Sequence, residues 1–112
     1  MAFRVEIAEE AYADLDAIAE YIQQRGSPES ANRWFDATLR DIHSLAETPT
    51  RCPVAPGMSV PGYEVRILLS GRRNRMYKIY FLLRHDVQVV YVLHIRHWAR
   101  QGPEIDTPPN PI

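Results

Sequence analysis

Residues 63–100 read YEVRILLSGRRNRMYKIYFLLRHDVQVVYVLHIRHWAR, and in them apolar and polar side chains alternate through three runs separated by two short polar breaks. A period of two is the mark of a strand with one packed and one open face. In the first run Val65, Ile67 and Leu69 share a side, with Glu64, Arg66 and Leu68 opposite. In the second, Tyr77, Ile79, Phe81 and Leu83 oppose Met76, Lys78, Tyr80, Leu82 and Arg84. In the third, Val89, Tyr91, Leu93 and Ile95 oppose Val90, Val92, His94, Arg96 and Trp98. Gly71–Arg75 and His85–Asp86 are the turns. The reading is a meander whose apolar face needs a cover and whose other face gathers cations and aromatic rings.

The cover lies upstream. Ala2–Ile7 alternates as a short strand, with Phe3, Val5 and Ile7 on one side. From Ala8 the period lengthens, and Ala11, Leu15, Ile18, Ala19 and Ile22 recur at helical spacing. Gly26 reads as a left-handed helix stop, and Ser27–Pro28 as the cap and first residue of the next helix. That helix runs to about Ala46 on a stripe of Ala31, Phe35, Thr38, Leu39, Ile42 and Leu45, with Trp34 at its margin. Two helices joined so closely form an antiparallel hairpin. Residues 48–62 contain four prolines and two glycines, too many for a helix or a central strand.

The 112 residues are read as one domain over 1–100 followed by a proline-rich extended or disordered tail, 101–112. No apolar run reaches membrane-spanning length and no secretory leader is visible, so the cytoplasm is the expected location. Cys52 is the single cysteine, which excludes an internal disulfide, and it is expected to be a half-buried loop residue. The net charge of −1 hides a segregation: residues 1–47 hold four arginines against ten acids, and residues 63–100 hold eight cations against two acids. An acidic cover over a basic surface suits an anionic ligand or an acidic partner, or simply the attraction of the two halves.

His94 and His97 are three apart on a strand and should point to opposite faces, so no metal is expected, nor any cofactor. No phosphate-binding glycine loop or nucleophile elbow is present. The open face is expected to bring together Glu64, Arg66, Lys78, Tyr80, His94, Arg96 and Trp98. A base, several cations and a stacking ring could bind and cleave RNA, the base taking the 2′-hydroxyl proton and the cations stabilising charge at phosphorus. The competing reading is that Glu64 forms an ordinary cross-strand ion pair.

The order of strand, helix hairpin, proline loop and meander, from FRVEIAEEAYADLDAIAEYI through VRILLSGRRNRMYKIYFLL to LHIRHWARQ, resembles the RelE/ParE toxin superfamily of type II toxin–antitoxin systems. The ending LHIRHWAR is more similar to ParE than to RelE. The resemblance implies an α+β fold, βααβββ, with the helix hairpin on one face of a mainly antiparallel sheet. It also implies a toxin neutralised by a cognate antitoxin.

RelE-like members cleave mRNA on the ribosome, whereas ParE-like members inhibit DNA gyrase without being enzymes. Carried over, the RelE arginine of the third strand falls on Lys78. One lysine of the second strand falls on Arg66, and the other on Glu64 with its charge reversed. The arginine of the last strand falls within 96–98, and the C-terminal tyrosine has no counterpart. Other nucleases of the family use a carboxylate and a histidine, roles open to Glu64 and His94. The nuclease candidates are therefore Glu64, Arg66, Lys78, His94 and Arg96. On the preferred ParE-like reading, Arg72, Arg73, Arg75, Arg100 and Trp98 engage the target, and Tyr12 and Trp34 are exposed for the antitoxin. A third possibility is a relative that only binds its partner.

Overall fold

The first alternating segment forms β1 (Arg4–Ile7), which leads directly into α1 (Glu9–Arg25) and α2 (Pro28–His43). The meander forms β2 (Glu64–Ser70), β3 (Tyr77–Arg84) and β4 (Val89–His97). These come from a computed structural model that describes residues 2–58, 61, 63–72 and 75–99. The sheet order is β1-β4-β3-β2. The β2–β3 and β3–β4 pairs are antiparallel and β1 lies parallel to β4, so the expected α+β architecture is present with one parallel edge. Among the described residues no helix is long and apolar enough to cross a membrane.

Both helices are built as their sequences require, with one exception. In α1, Glu9 and Glu10 sit in the first turn and Arg25 in the last, each complementing the helix dipole. Ser27 caps α2, its Oγ accepting the Ser30 N–H at 3.1 Å, and Pro28 takes the first turn, where no N–H is missed. The exception is Gly26: its φ of −140° and ψ of −108° are not left-handed, and the chain passes from it directly into the extended Ser27 cap. After His43 the helix tightens into a 3-10 turn, Ser44–Ala46, which buries Leu45.

One face of the sheet packs under this hairpin. Leu15 and Ile22 from α1, and Ala31, Trp34 and Ile42 from α2, meet Tyr77, Ile79, Phe81 and Leu83 of β3. Trp34 departs from expectation. It is only 9% exposed, because its ring meets Tyr77 edge-on at 5.4 Å and fills the space between α2 and the end of β3. It belongs to the core and offers no surface to a partner. Tyr12 is 47% exposed, as expected.

Strand phases depart from simple alternation in two places. On β4, Tyr80 pairs with His94 but Phe81 pairs with Val92, so Leu93 is an extra residue in a bulge. The bulge lets Val90, Val92 and Ile95 all join the core under the helices. A strict alternation would have opposed Ile95 to the two valines. On β2 the phase is the reverse of the one expected: Leu68 joins the core, while Val65 packs on the opposite face with Ala55 and Tyr80. The helix side of β2 carries Glu64, Arg66, Leu68 and Ser70 and is the more polar of its two faces, so alternation alone pointed to the wrong one. The proline-rich segment decided it by covering the second face.

That segment is ordered by the sheet. After a 3-10 turn at Pro49–Arg51, Val54 bridges Arg66 in antiparallel fashion. Ala55 N–H donates to the Val65 carbonyl at 2.8 Å and Ile67 N–H to the Pro53 carbonyl at 3.0 Å, which occupies the outer edge of β2. Cys52 is buried rather than half-buried, and burial pushes its thiol pKa up against the nearby charges of Arg51 and Arg66. At the other end of β2, Gly71 has φ +99° and a Cβ there would lie 2.0 Å from the Arg75 carbonyl oxygen, so the turn requires glycine.

Phe81 has no exposed surface and lies at the centre of the larger cluster. Phe81→Ala should lower unfolding free energy by about 3–5 kcal/mol in urea titrations. A loss under about 1 kcal/mol would place Phe81 outside the principal core.

Candidate functional site

The antiparallel register sets the rows of side chains on the face away from the helices. Leu69, Lys78 and Arg96 form one row, and Ile67, Tyr80 and His94 the next. Tyr80 is 2% exposed under Ala55 and Val65, so it is a packing residue rather than an open stacking platform. Lys78 Nζ lies 6.0 Å from its ring centroid. Lys78, His94 and Arg96 are thus brought together as expected.

Glu64 and Arg66 are not part of that group. Arg66 stands opposite Phe81 in the register, one position out of phase with Lys78, so the two point to opposite faces. Its guanidinium is held by Glu64 at 2.7–2.8 Å and donates to the carbonyl oxygens of Cys52 and Thr50. Glu64 also meets His85 Nε2 at 3.0 Å. These groups tie the proline-rich segment to the sheet. Burial acts to raise the Glu64 carboxyl, but the hydrogen bonds and charges of Arg66 and His85 together outweigh it and hold it below the ordinary glutamate range.

The carboxylate beside His94 and Arg96 comes instead from α1. Asp14 Oδ2 accepts from Arg96 Nη1 at 2.8 Å and from the Ile95 backbone N–H at 2.9 Å. It lies 3.6 Å from His94 Nδ1, which is buried and makes no hydrogen bond. Arg96 Nη1 also donates to the Ile95 carbonyl at 3.0 Å. The sequence reading missed Asp14, although there was a signal: it falls within the apolar stripe of Ala11, Leu15 and Ile18. A charge in a buried stripe needs a partner.

The remaining candidates are scattered. Arg72 and Arg75 are exposed at the β2–β3 turn, and Trp98 is 53% exposed, its backbone N–H donating to the Met76 carbonyl at 3.0 Å. Arg73, Arg100 and the 101–112 tail lie outside the described residues. His97 points toward the helix side, its ring 5.5 Å from Tyr77, opposite to His94. Among the described residues no three His, Cys, Asp or Glu side chains are placed to share a metal ion.

A chain with this topology and a basic meander under an acidic hairpin is a toxin-like α+β domain of the RelE/ParE type. The family model for the ParE toxin of the type II toxin–antitoxin system parDE matches residues 5–102, and the chain belongs to that family. Among solved structures, a chain of the chromosomal ParDE system from P. aeruginosa superposes with a TM-score of 0.67 and 24% identity, covering 86% of this chain and 96% of that one. The archaeal RelE–RelB complex from Pyrococcus horikoshii matches with a TM-score of 0.58 and 13% identity over 90% and 100% of the two chains. The RelBE2 complex from Mycobacterium tuberculosis gives 0.57 and 17% over 89% and 95%. These likenesses establish the fold. No curated protein sequence matches significantly.

Because the Glu64 pKa is lowered in the folded chain, its contribution to stability is present above the unfolded-state value of about 4.3 and is lost as pH falls through the folded value. Acid titrations should therefore show stability falling more steeply below about pH 4.3 in the parent than in Glu64→Gln. Equal slopes would mean that Arg66 and His85 do not hold the carboxylate.

Proposed function

We propose that this ParE-family toxin acts by binding a protein target such as DNA gyrase, without catalysing a reaction, and that a cognate antitoxin neutralises it. The observation that carries this reading is the division of the candidate catalytic set. Glu64 and Arg66 are spent on holding the 50–55 segment, and Arg96 is engaged by Asp14. A nuclease needs its base and its cations aimed at one phosphate. Here the carboxylate at 64 and the imidazole at 94 lie on opposite faces of the sheet. The similarity to ParDE and RelBE assemblies supports the antitoxin as partner.

Ribosome-dependent mRNA cleavage is the second reading, favoured by one specific arrangement: Lys78, His94 and Arg96 occupy adjacent rows of one face, with Asp14 beside the imidazole. Gyrase supercoiling and translation-coupled mRNA cleavage, assayed with the same purified protein, separate the two. The expected result is inhibited supercoiling with intact mRNA. Lys78→Ala and His94→Gln should leave that inhibition within a few-fold, whereas Arg72→Glu with Arg75→Glu should weaken it, by less as salt rises and screens the charges. On the nuclease reading, Lys78→Ala would slow cleavage by about 10²–10³. Cleavage of ribosome-bound mRNA lost in both Lys78→Ala and His94→Gln, with folding intact, would replace the first reading by the second.

A further inference from the structure

β1 pairs with β4 only as far as Val92, and α1 lies against the part of β4 that continues past it. Between them is a groove of about 700 Å³. Ile18, Ile22 and Ile95 give it an apolar lining, and Tyr21 stands 53% exposed on its wall. Arg25 and Arg75 also line it and are exposed. Arg25 lies over the Tyr21 ring at 4.6 Å, and among the described residues neither arginine is held by a carboxylate. The acid of the lining, Asp14, is already satisfied by Arg96 and the Ile95 N–H. Two such cations beside apolar surface and an exposed ring fit an occupant whose acidic and apolar side chains are close together.

The chain carries such a segment at the mouth of the groove. His97 lines it, and the Trp98 N–H, donating to the Met76 carbonyl, keeps the backbone in line one residue further. Residues 101–112 then read QGPEIDTPPNPI, with four prolines, Glu104 and Asp106 flanking Ile105, and no lysine or arginine. Ile105 follows Ala99 by six residues, a span of roughly 19 Å at the polyproline rise, and Gly102 permits a sharp bend on the way.

Proline density favours the polyproline helix, in which successive side chains are a third of a turn apart and the backbone stays solvated. With Ile105 turned to the apolar lining, Glu104 and Asp106 diverge to its two sides. Such a segment needs nothing from the Ile95 backbone, where Asp14 accepts from the N–H and Arg96 donates to the carbonyl. A pairing strand would have to break both contacts. Grooves bearing aromatic rings receive polyproline segments well, because fixed φ angles lower the entropy lost on docking.

We infer that the proline-rich tail of this chain docks in its own α1–β4 groove. Ile105 covers Ile18 and Ile95, Glu104 and Asp106 pair with Arg25 and Arg75, and the neighbouring prolines meet the Tyr21 ring. A short tether gives the tail an effective concentration in the millimolar range, so a contact that is weak between separate molecules is made readily within one. Any partner that binds through Arg25 or Arg75 must first displace the tail.

The test uses the full chain and a synthetic peptide of residues 101–112, with binding followed by NMR titration and folding by thermal melts. The parent should show contacts between the Ile105 methyls and the Tyr21 ring that do not change on tenfold dilution. Glu104→Lys with Asp106→Lys should release the tail, remove those contacts and leave melting unchanged. The peptide should then bind this released variant at least about tenfold more tightly than it binds the parent, whose own tail competes for the groove. Adding Arg25→Glu or Tyr21→Ala to the released variant should weaken the peptide at least about tenfold, and the Arg25→Glu loss should shrink as salt rises. Equal affinity for parent and released variant, or no binding to either, would overturn the inference. So would peptide binding that ignores both Arg25→Glu and Tyr21→Ala. Ile105–Tyr21 contacts that fade on dilution would overturn it too, because they would assign the groove to the tail of a second copy.

Discussion

One carboxylate on α1 holds the end of the sheet. Asp14 takes the Ile95 N–H and the Arg96 guanidinium at once, at the point where β4 has lost its neighbour β1 and emerged from the Leu93 bulge. Without the bulge, Ile95 would leave the core and its neighbours His94 and Arg96 would turn toward the helices. With it, the helix side is apolar as far as Ile95, and the cations stand on the other side. A buried or half-buried carboxylate is costly unless its oxygens are satisfied, and here one oxygen accepts two strong hydrogen bonds. The end of β1 at Ile7 leaves the edge, the bulge sets which side chains flank it, and Asp14 closes it at Ile95.

From that constraint comes the division of surfaces. The inward face is filled by the hairpin, and the outer edge of β2 is closed by the 53–55 segment, while Arg66 anchors the residues before it through the carbonyl oxygens of Thr50 and Cys52. Arginine suits that task because its planar fork can reach a carboxylate and two carbonyls together. Other arginines among the described residues are exposed, including Arg72 and Arg75 of the turn and Arg25 at the end of α1. Charge in this protein is therefore of two kinds: one set of arginines holds the chain together, and another faces solvent where a partner can be met.

The elements themselves were legible because they rest on local physics. The change from a period of two to a helical period at Ala8, the Ser27–Pro28 cap and the density of prolines over 48–62 each dictate a backbone state with little help from the rest of the chain. Face assignment was legible for β1, where Phe3, Val5 and Ile7 pack on the core, and for β3, where Tyr77, Ile79, Phe81 and Leu83 do. On β2 the more apolar side faces the covering segment and not the helices, and on β4 a bulge shifts the phase, and neither device leaves a local mark. Trp34 was misplaced for a related reason: its position on the margin of the stripe did not reveal that Tyr77 would be waiting for it. The candidate site inherited the β2 error, which had put Glu64 and Arg66 beside Lys78. Asp14 could have been suspected from its place in an apolar stripe, but its partner lies 81 residues away and only the fold brings them together.

The claim that Asp14 holds the β4 edge can be tested by native-state hydrogen exchange at the Ile95 amide, comparing the parent with Asp14→Ala. A hydrogen bond to a charged acceptor contributes about 1.5–3 kcal/mol, and local opening controls exchange at such a position. The account predicts that the Ile95 amide exchanges about 10–100 times faster in Asp14→Ala, with Ile79 and Phe81 slowed or quickened only as global stability requires. Unchanged exchange at Ile95 would contradict it.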